Sequence, residues 1–436
     1  MVELLQRMLR IDTSNPPGRE RELIDLLAGE LRCGGLEPQV LARDSDRPNL
    51  IVRVPGRGEA PPLLLHGHAD VVPATAQTWQ HEPFGAQIID GEVWGRGALD
   101  MKGGLAMLAT VVLQAAQPGA HPPGDLVFVV NSDEEAGGDL GAAWLVDEHP
   151  ELFGGIRHAL SEFGAYSHHV AGRRLYPIQV AQKRRCRLRA TFRGEGGHGA
   201  SPRRGQVAAQ LGAALTAIDR RRLPAHLTAP VRLMIDAMAG GLPGPQRAAL
   251  RLLLRPKATD PVLRLAGSQA ADLDPLLRNT ATATRVQGGE AWNALPTEAH
   301  IDLDGRLVPG HEPAELLSEL AAIFPPDTVL EVLRADPPAA RVEPDLELFP
   351  LLTSVLREED PEGHPFPLVT AGMTDARHYD KLGIQTYGFL PMRLPPGLMP
   401  QLLHATDERI PVAALAPGVA AIRRVVDRYR PHSIRS

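Results

Sequence analysis

Short apolar runs alternate with a long helical stretch in the first part of this chain, and that alternation restricts the fold more than any other feature. Runs at 49–54, 63–66 and 126–130 read as strands, and 103–117 reads as a helix before the last of them. A helix at 20–32, stopped by Gly34 and Gly35, precedes them. Strand and helix in this order predict an α/β sheet covered by helices on both faces. Ligands bind such sheets outside the carboxyl ends of the strands. His68 follows the run at 63–65, and Glu134 and Glu135 follow the run at 126–130, so chemistry-bearing residues fall where a site is built.

The pattern changes near residue 182. Arg185, Arg187, Arg189 and Arg193 alternate with Cys186, Leu188, Ala190 and Phe192, a period-two strand with one basic face. A helix at 206–220 follows, then a long segment to about 277. Strands at 279–286 and 298–307, a helix at 313–324 and a strand at 328–333 complete the series. Strand-helix-strand-strand-helix-strand is the ferredoxin-like order. The expectation is therefore a first domain made of 1–181 and 337–436, with 182–336 inserted into it. The segment at 222–277 is longer than a minimal inserted unit requires.

At 436 residues the chain exceeds one ordinary core, which agrees with two domains. The basic strand face raises nucleic acid as a partner. It lacks interleaved aromatics, and the net charge is −6, so a solvated strand face is the favoured reading. The N-terminus reads as the start of an amphipathic helix rather than a signal sequence. No apolar segment approaches the roughly 20 residues of a membrane span. Cys33 and Cys186 lie far apart and read as free thiols, Cys186 in the core, in a reducing, cytoplasmic compartment.

The candidate chemistry lies in five short stretches. They are His68-Ala-Asp70, Asp100, the pair Glu134 and Glu135, Glu162, and His404. A zinc ion takes about four ligands from imidazole nitrogen and carboxylate oxygen. Two ions a few ångströms apart can share one bridging carboxylate. Two histidines and three carboxylates satisfy that requirement and leave one glutamate as a base. Adjacent glutamates point in different directions, so one of Glu134 and Glu135 can bind metal while the other reaches a bound water. Each stretch also has an ordinary reading: a buried histidine with one hydrogen bond, a solvated acidic turn at 133–135, or a glycine-rich phosphate cradle around Asp100. The glycine spacing there fits neither common phosphate loop.

Eight landmarks occur in order along the chain. They are Leu64-Leu-His-Gly-His-Ala-Asp-Val-Val-Pro73, Gly95-Arg-Gly-Ala-Leu-Asp-Met-Lys-Gly-Gly104, Ser132-Asp-Glu-Glu-Ala-Gly-Gly138, Ser161-Glu-Phe-Gly164, Gly197-His-Gly-Ala-Ser-Pro202, Asn293-Ala-Leu-Pro296, Gly372-Met-Thr-Asp-Ala-Arg377 and His404-Ala-Thr-Asp-Glu408. Together they resemble the zinc aminoacylase and carboxypeptidase family, which includes acetylornithine deacetylase, succinyl-diaminopimelate desuccinylase and glutamate carboxypeptidase. The resemblance implies a zinc-peptidase-like catalytic domain with a mixed sheet, and an inserted ferredoxin-like lid and dimerisation domain. It implies His68 and Glu162 on one ion, Glu135 and His404 on the other, and Asp100 on both. Glu134 would be the general base, Asp70 would orient His68, and His66 would stand beside the ligands.

His198, on the lid, would donate to the oxyanion, in dimeric relatives from the neighbouring subunit. Arg377 would clamp a substrate carboxylate, with Asn293 and Arg306 as further substrate contacts from the lid. Phe163, Gly199 and Ala200 depart from the family pattern. The expected activity is hydrolysis of an amide bond next to a free carboxylate by metal-bound hydroxide. Two divalent ions are expected, zinc with cobalt or manganese able to substitute. The substrate would be a short peptide or, alternatively, an N-acyl amino acid, and the chain would form a homodimer through the lid. A binding protein without turnover would have lost a ligand or the base, and here every position is chemically competent.

Overall fold

The computed structural model describes residues 1–75, 77–267 and 271–431. Its larger sheet is mixed. In spatial order its strands are Gln39–Leu41, Asn49–Val54, Leu126–Asn131, Leu63–His68, His158–Ser161, Gln385–Gly388, Arg173–Gln182 and His364–Thr370, with His168–Val170 paired beside Arg173–Gln182. Leu126–Asn131, Leu63–His68, His158–Ser161 and Gln385–Gly388 run parallel to one another. Their carboxyl ends therefore open on a single edge. Leu63–His68 and Leu126–Asn131 are buried along their whole length, as continuous apolar strands must be when helices cover both faces.

The helix Lys102–Ala115 packs against this sheet and against the terminal helix Val412–Arg428. Gly103 sits where a Cβ would lie 2.2 Å from the carbonyl oxygen of Ala98, so only glycine lets the backbone come this close. Lys102, fully buried, donates to the carbonyls of Met8 and Ile11 and so ties this helix to the first one, Val2–Leu9.

The expected strand at 63–66 extends to His68, which makes His68 a strand-end residue. Gln39–Leu41, His158–Ser161, His168–Val170 and Arg173–Gln182 had no counterpart in the sequence reading, and His364–Thr370 and Gln385–Gly388 were expected only as short apolar runs after 337. His364–Thr370 contains Pro365 and Pro367 and lies at the sheet edge, the one position where proline is tolerated.

The second sheet has the order Thr280–Gly288, Glu298–Leu307, Arg184–Arg193 and Val329–Ala335, all antiparallel. With the helices Val207–Arg220 and Pro313–Ala321, it reproduces the strand-helix-strand-strand-helix-strand order. Cys186, Leu188, Ala190 and Phe192 point into its own core with Ile301, Leu303 and Leu316. The opposite basic face is neutralised across the ladder. Arg189 and Arg193 stand opposite Asp302 and Glu298 and pair with them at 2.7 and 2.8 Å, and Arg185 pairs with Asp336 at 3.3 Å.

The long segment at 222–277 behaves differently from its neighbours in sequence. Its helices Ala229–Gly240, Gly244–Leu253 and Pro256–Ala266 share a core with the larger sheet, where Val231, Met234 and Ile235 bury Leu175, Phe366 and Val369. Its extra length thus covers the edge of the first sheet. Among the described residues, no helix is long and apolar enough to cross a membrane. Ile235→Ala should cost about 2–5 kcal/mol through the cavity it leaves, read as a lower urea midpoint. A near-neutral effect would show that these helices are not part of that core.

Candidate active site

Three parallel strands deliver the site. His68 ends one strand, Glu134 and Glu135 follow Asn131 at the end of the next, and Glu162 follows Ser161. Asp100 comes from the turn before the helix Lys102–Ala115, and His404 from the loop ahead of the strand Arg409–Pro411. Nε2 of His68 lies 3.0 Å from Asp100 Oδ1 and 3.3 Å from Glu162 Oε2. Nε2 of His404 lies 3.1 Å from Asp100 Oδ2 and 3.4 Å from Glu135 Oε1. The two Asp100 oxygens thus face two different histidines, as a bridging carboxylate does.

These separations decide between two chemistries. Ligand bonds of about 2.1 Å in tetrahedral array put neighbouring donor atoms about 3.4 Å apart. The four distances run from 3.0 to 3.4 Å, at or just below that value, and the two shortest are hydrogen-bond lengths as well. Glu135 Oε1 is buried and meets His404 Nε2 at 3.4 Å outside hydrogen-bond geometry, so a cation between the two would satisfy both. His68 with Asp100 and Glu135, and His68 with Glu134 and Glu162, each bring three ligand-type atoms within 4.8 Å of one another. The residues present fit a pair of metal ions.

Buried carboxylates hold the ligands in place. Asp70 accepts the backbone amides of Glu134 and Glu135, each at 3.1 Å, and the Asn15 amide at 2.8 Å. The nearest acceptor for His68 Nδ1 is the Asp70 backbone carbonyl at 2.9 Å, with the carboxylate Oδ1 at 3.6 Å. Asp70 thus orients His68 mainly through its carbonyl, and its side chain is spent on the glutamate turn. Glu408 plays the matching part on the other side. It accepts the amides of Gly97, Leu99 and Asp100 at 3.0, 2.7 and 3.1 Å, and Arg96 Nη1 at 2.7 Å. Asp133 takes Arg47 at 2.9 Å, and Arg47 also pairs with buried Glu20. Asn15, Arg47, Glu20 and Arg96 went unnoticed in the sequence. Asn15-Pro16 and Glu408, in the stretch that begins with His404, were the only local signals.

So many acids in one buried site shift each other. Burial pushes the Glu134 carboxyl well above the carboxylate range, with Glu162 adding to it. Glu162 is pushed up to about 8, by burial first, and Glu135 is raised by burial. Burial alone would lower His68, but Glu162, Asp100 and Asp70 carry it well above the usual histidine value. The Asp100 and Glu135 carboxylates beside it raise His404 to about 10. Asp100 is held far below its ordinary value, since the two histidines outweigh its burial.

The other expected residues are distributed unevenly. Arg377 Nη1 lies 3.6 Å from Glu134 Oε1, while its nitrogens donate to the carbonyls of Thr374 at 2.7 Å and Gly137 at 2.8 Å. Its Nε is buried without a partner and remains available to a ligand. Asp375, raised to about 6 by burial, sits beside it and accepts from Asn131 at 2.9 Å. His66 is buried, held down to about 3 by desolvation, and contacts Ser161 at 3.2 Å. Phe163 adopts φ 62°, a left-handed conformation that favours glycine.

His198 and Asn293 are brought together on the second sheet's side, where Gly197–His198 pairs with Ala294–Leu295. His198 is exposed there, and its Nδ1 accepts the Ala200 amide at 3.1 Å. Arg306 pairs with Asp304 at 2.7 Å on the strand Glu298–Leu307. No contact among the described residues joins His198, Asn293 or Arg306 to the ligand cluster.

Comparison with known proteins identifies the family. The profile of peptidase family M20/M25/M40 matches residues 64–428. A probable carboxypeptidase S-like 2 of Dictyostelium discoideum is 26% identical over 374 residues, covering 80% of this chain and 68% of that one. A succinyl-diaminopimelate desuccinylase of Methylobacterium radiotolerans is 27% identical over 443 residues, covering 99% and 97%. In fold, the chain is similar to the M20 family metallo-carboxypeptidase Sso-CP2 of Sulfolobus solfataricus, with a TM-score of 0.67, 14% identity and 97% of each chain covered. With the matched profile spanning every residue of the ligand cluster, this chain belongs to peptidase family M20/M25/M40.

Proposed function

We propose that this chain is a dinuclear metal-dependent hydrolase that cleaves an amide bond adjacent to a free carboxylate. The observation that carries this reading is the Asp100 carboxylate, with one oxygen facing His68 and the other facing His404. His68 and Glu162 would hold one ion, His404 and Glu135 the other, and Asp100 both. The ions, zinc in this reading, would supply Lewis acidity for activating water and the scissile carbonyl. Glu134, whose burial the bound cations would offset so that it is ionised, would take the proton of the attacking water and deliver it to the leaving amine. Arg377, 3.6 Å from Glu134, would clamp the substrate carboxylate with its guanidinium fork.

Short peptides are the first substrate class. N-acyl amino acids are the second, favoured by the desuccinylase whose likeness covers 99% of this chain. The free thiols Cys33 and Cys186 support a reducing, cytoplasmic setting.

A hydrolysis screen over dipeptides and N-acyl amino acids with Zn²⁺, Co²⁺ or Mn²⁺ tests the reading and separates the two classes. In it, Glu134→Gln should keep both ions and lower kcat by about 10²–10⁴. Glu135→Gln should instead weaken metal binding. Equal metal loss in the two variants would overturn the assignment.

The acid-base balance makes a second expectation. His404, raised to about 10 from 6.5, stabilises the chelated protein below pH 6.5 and loses that contribution as pH rises through its folded value. Glu162, raised to about 8 from 4.5, keeps a proton that the unfolded chain has lost, so it too lowers stability as pH rises from 4.5 to 8. The urea midpoint of the chelated protein should therefore fall between pH 6.5 and 7, above which Lys102 and Lys183, each lowered to about 7 by burial, act in the opposite sense. Metal-loaded protein should resist that fall, because deprotonated ligands bind ions better. A chelated protein whose midpoint rises across this window would contradict the site.

We also infer that the ferredoxin-like unit within residues 182–336, without the helices of 229–266 that cover the larger sheet, acts as a lid that pairs with a second copy. Its sheet has two open edges, Thr280–Gly288 and Val329–Ala335, and exposes Val286, Val329, Val332 and Leu333. Open apolar edges favour strand pairing. His198 would then serve the partner's site as oxyanion donor. His198→Ala should lower kcat by about 10²–10³ without metal loss. Mixing it with Glu134→Gln protein should recover activity, while subunit exchange without recovery would argue against action in trans.

A further inference from the structure

The strand His158–Ser161 carries Glu162 of the catalytic cluster beyond its carboxyl end, and His158 at its other end. Four residues of extended chain separate them by about 13 Å, so His158 faces a different part of the molecule. It is fully buried. Its Nδ1 lies 3.1 Å from the Tyr429 hydroxyl, on the chain just after the terminal helix. Its Nε2 makes no hydrogen bond, yet points at two carboxylates, Asp345 Oδ2 at 3.6 Å and Glu347 Oε2 at 3.9 Å.

Both distances exceed the 2.7–3.2 Å of a hydrogen bond. They lie close to the roughly 3.4 Å between donor atoms on a tetrahedral ion with bonds of about 2.1 Å. The three ligand-type atoms fall within 4.8 Å of one another, as they do in the catalytic cluster. Asp345 is also held in place by its backbone. Its amide donates to Gln385 at 2.9 Å, its carbonyl accepts the Tyr387 hydroxyl, and its Oδ1 accepts the Glu347 amide at 2.9 Å. The carboxylates are 20% exposed, which gives an ion a path in. Two arginines reach the same acids, Arg157 to Glu347 at 2.5 Å and Arg341 to Asp345 at 3.3 Å. An ion there competes with these guanidinium groups and binds more weakly than the catalytic pair.

We propose that His158, Asp345 and Glu347 form a third divalent-cation site, separate from the catalytic cluster. Imidazole with two carboxylates suits zinc or manganese. The site joins three parts of the chain: a central strand, the stretch returning from the second sheet, and the C-terminal segment at Tyr429. An ion there would act as a structural clamp on that return.

The test is a difference in metal content. Full-length protein and Asp345→Asn/Glu347→Gln would each be chelated, reloaded in excess Zn²⁺ or Mn²⁺, desalted and analysed for metal per chain. The variant should hold about one ion fewer than the parent and keep its hydrolytic activity. Its melting temperature should respond less to added metal. His158→Gln should reproduce the loss, and the paired acid variant carries the test if that buried substitution fails to fold. Equal metal content in parent and variant overturns the third site. The absolute count reports on the catalytic pair and the difference reports on this site, so failure of either reading is seen separately.

Discussion

The carboxylate of Asp70 is the point on which the catalytic side of the molecule depends. Its two oxygens are spent on the backbone amides of Glu134 and Glu135 and on Asn15. That fixes the turn bearing both glutamates against the strand bearing His68. A buried carboxylate survives only when donors satisfy it, and here the donors are the backbone of the turn it must position. Glu408 repeats the device with the amides of Gly97, Leu99 and Asp100. Neither acid is among the proposed ligands, yet each sets the direction of a segment that carries one. Groups of this kind commonly decide how well a metal site is formed.

The same design concentrates like charge. Glu134, Glu135 and Glu162 are all raised by burial, and the surrounding carboxylates raise His68 and His404. The assembly is costly to fold without cations, and binding a cation recovers that cost. Local backbone follows the same logic. Asp133, Phe163 and His404, each a ligand neighbour or a ligand, adopt positive φ. Conformations that disfavour L-residues persist where the surroundings hold them in place, and they gather at functional sites.

Much of this was legible in the sequence because it is local. The strand at 49–54 and the alternation of Cys186, Leu188, Ala190 and Phe192 follow from side-chain periodicity, and the structure shows both. His68 and the pair Glu134 and Glu135 stood out because they lie at the ends of apolar runs, whereas Glu162 came from its motif alone, the strand before it having gone unread. What escaped detection depends on distant partners. His364–Thr370 is a strand only because Arg173–Gln182 lies beside it, and its two prolines disguise it. Glu408 looks like one more surface acid until the Gly97–Asp100 turn folds onto it. Arg306 pairs with Asp304, two residues away on its own strand, and makes no contact with the ligand cluster.

The helices between Ala229 and Ala266 change what can be exchanged between relatives. They lie in sequence within the inserted unit, but their apolar faces cover Leu175, Phe366 and Val369 of the larger sheet. A graft cut at 182 and 336 would strip that cover from two strands and expose it to water. Natural or engineered recombination that swaps only the ferredoxin-like unit must leave this helical patch behind. The boundary of the interchangeable module is therefore set by which core a segment fills, and chain order is a poor guide to it.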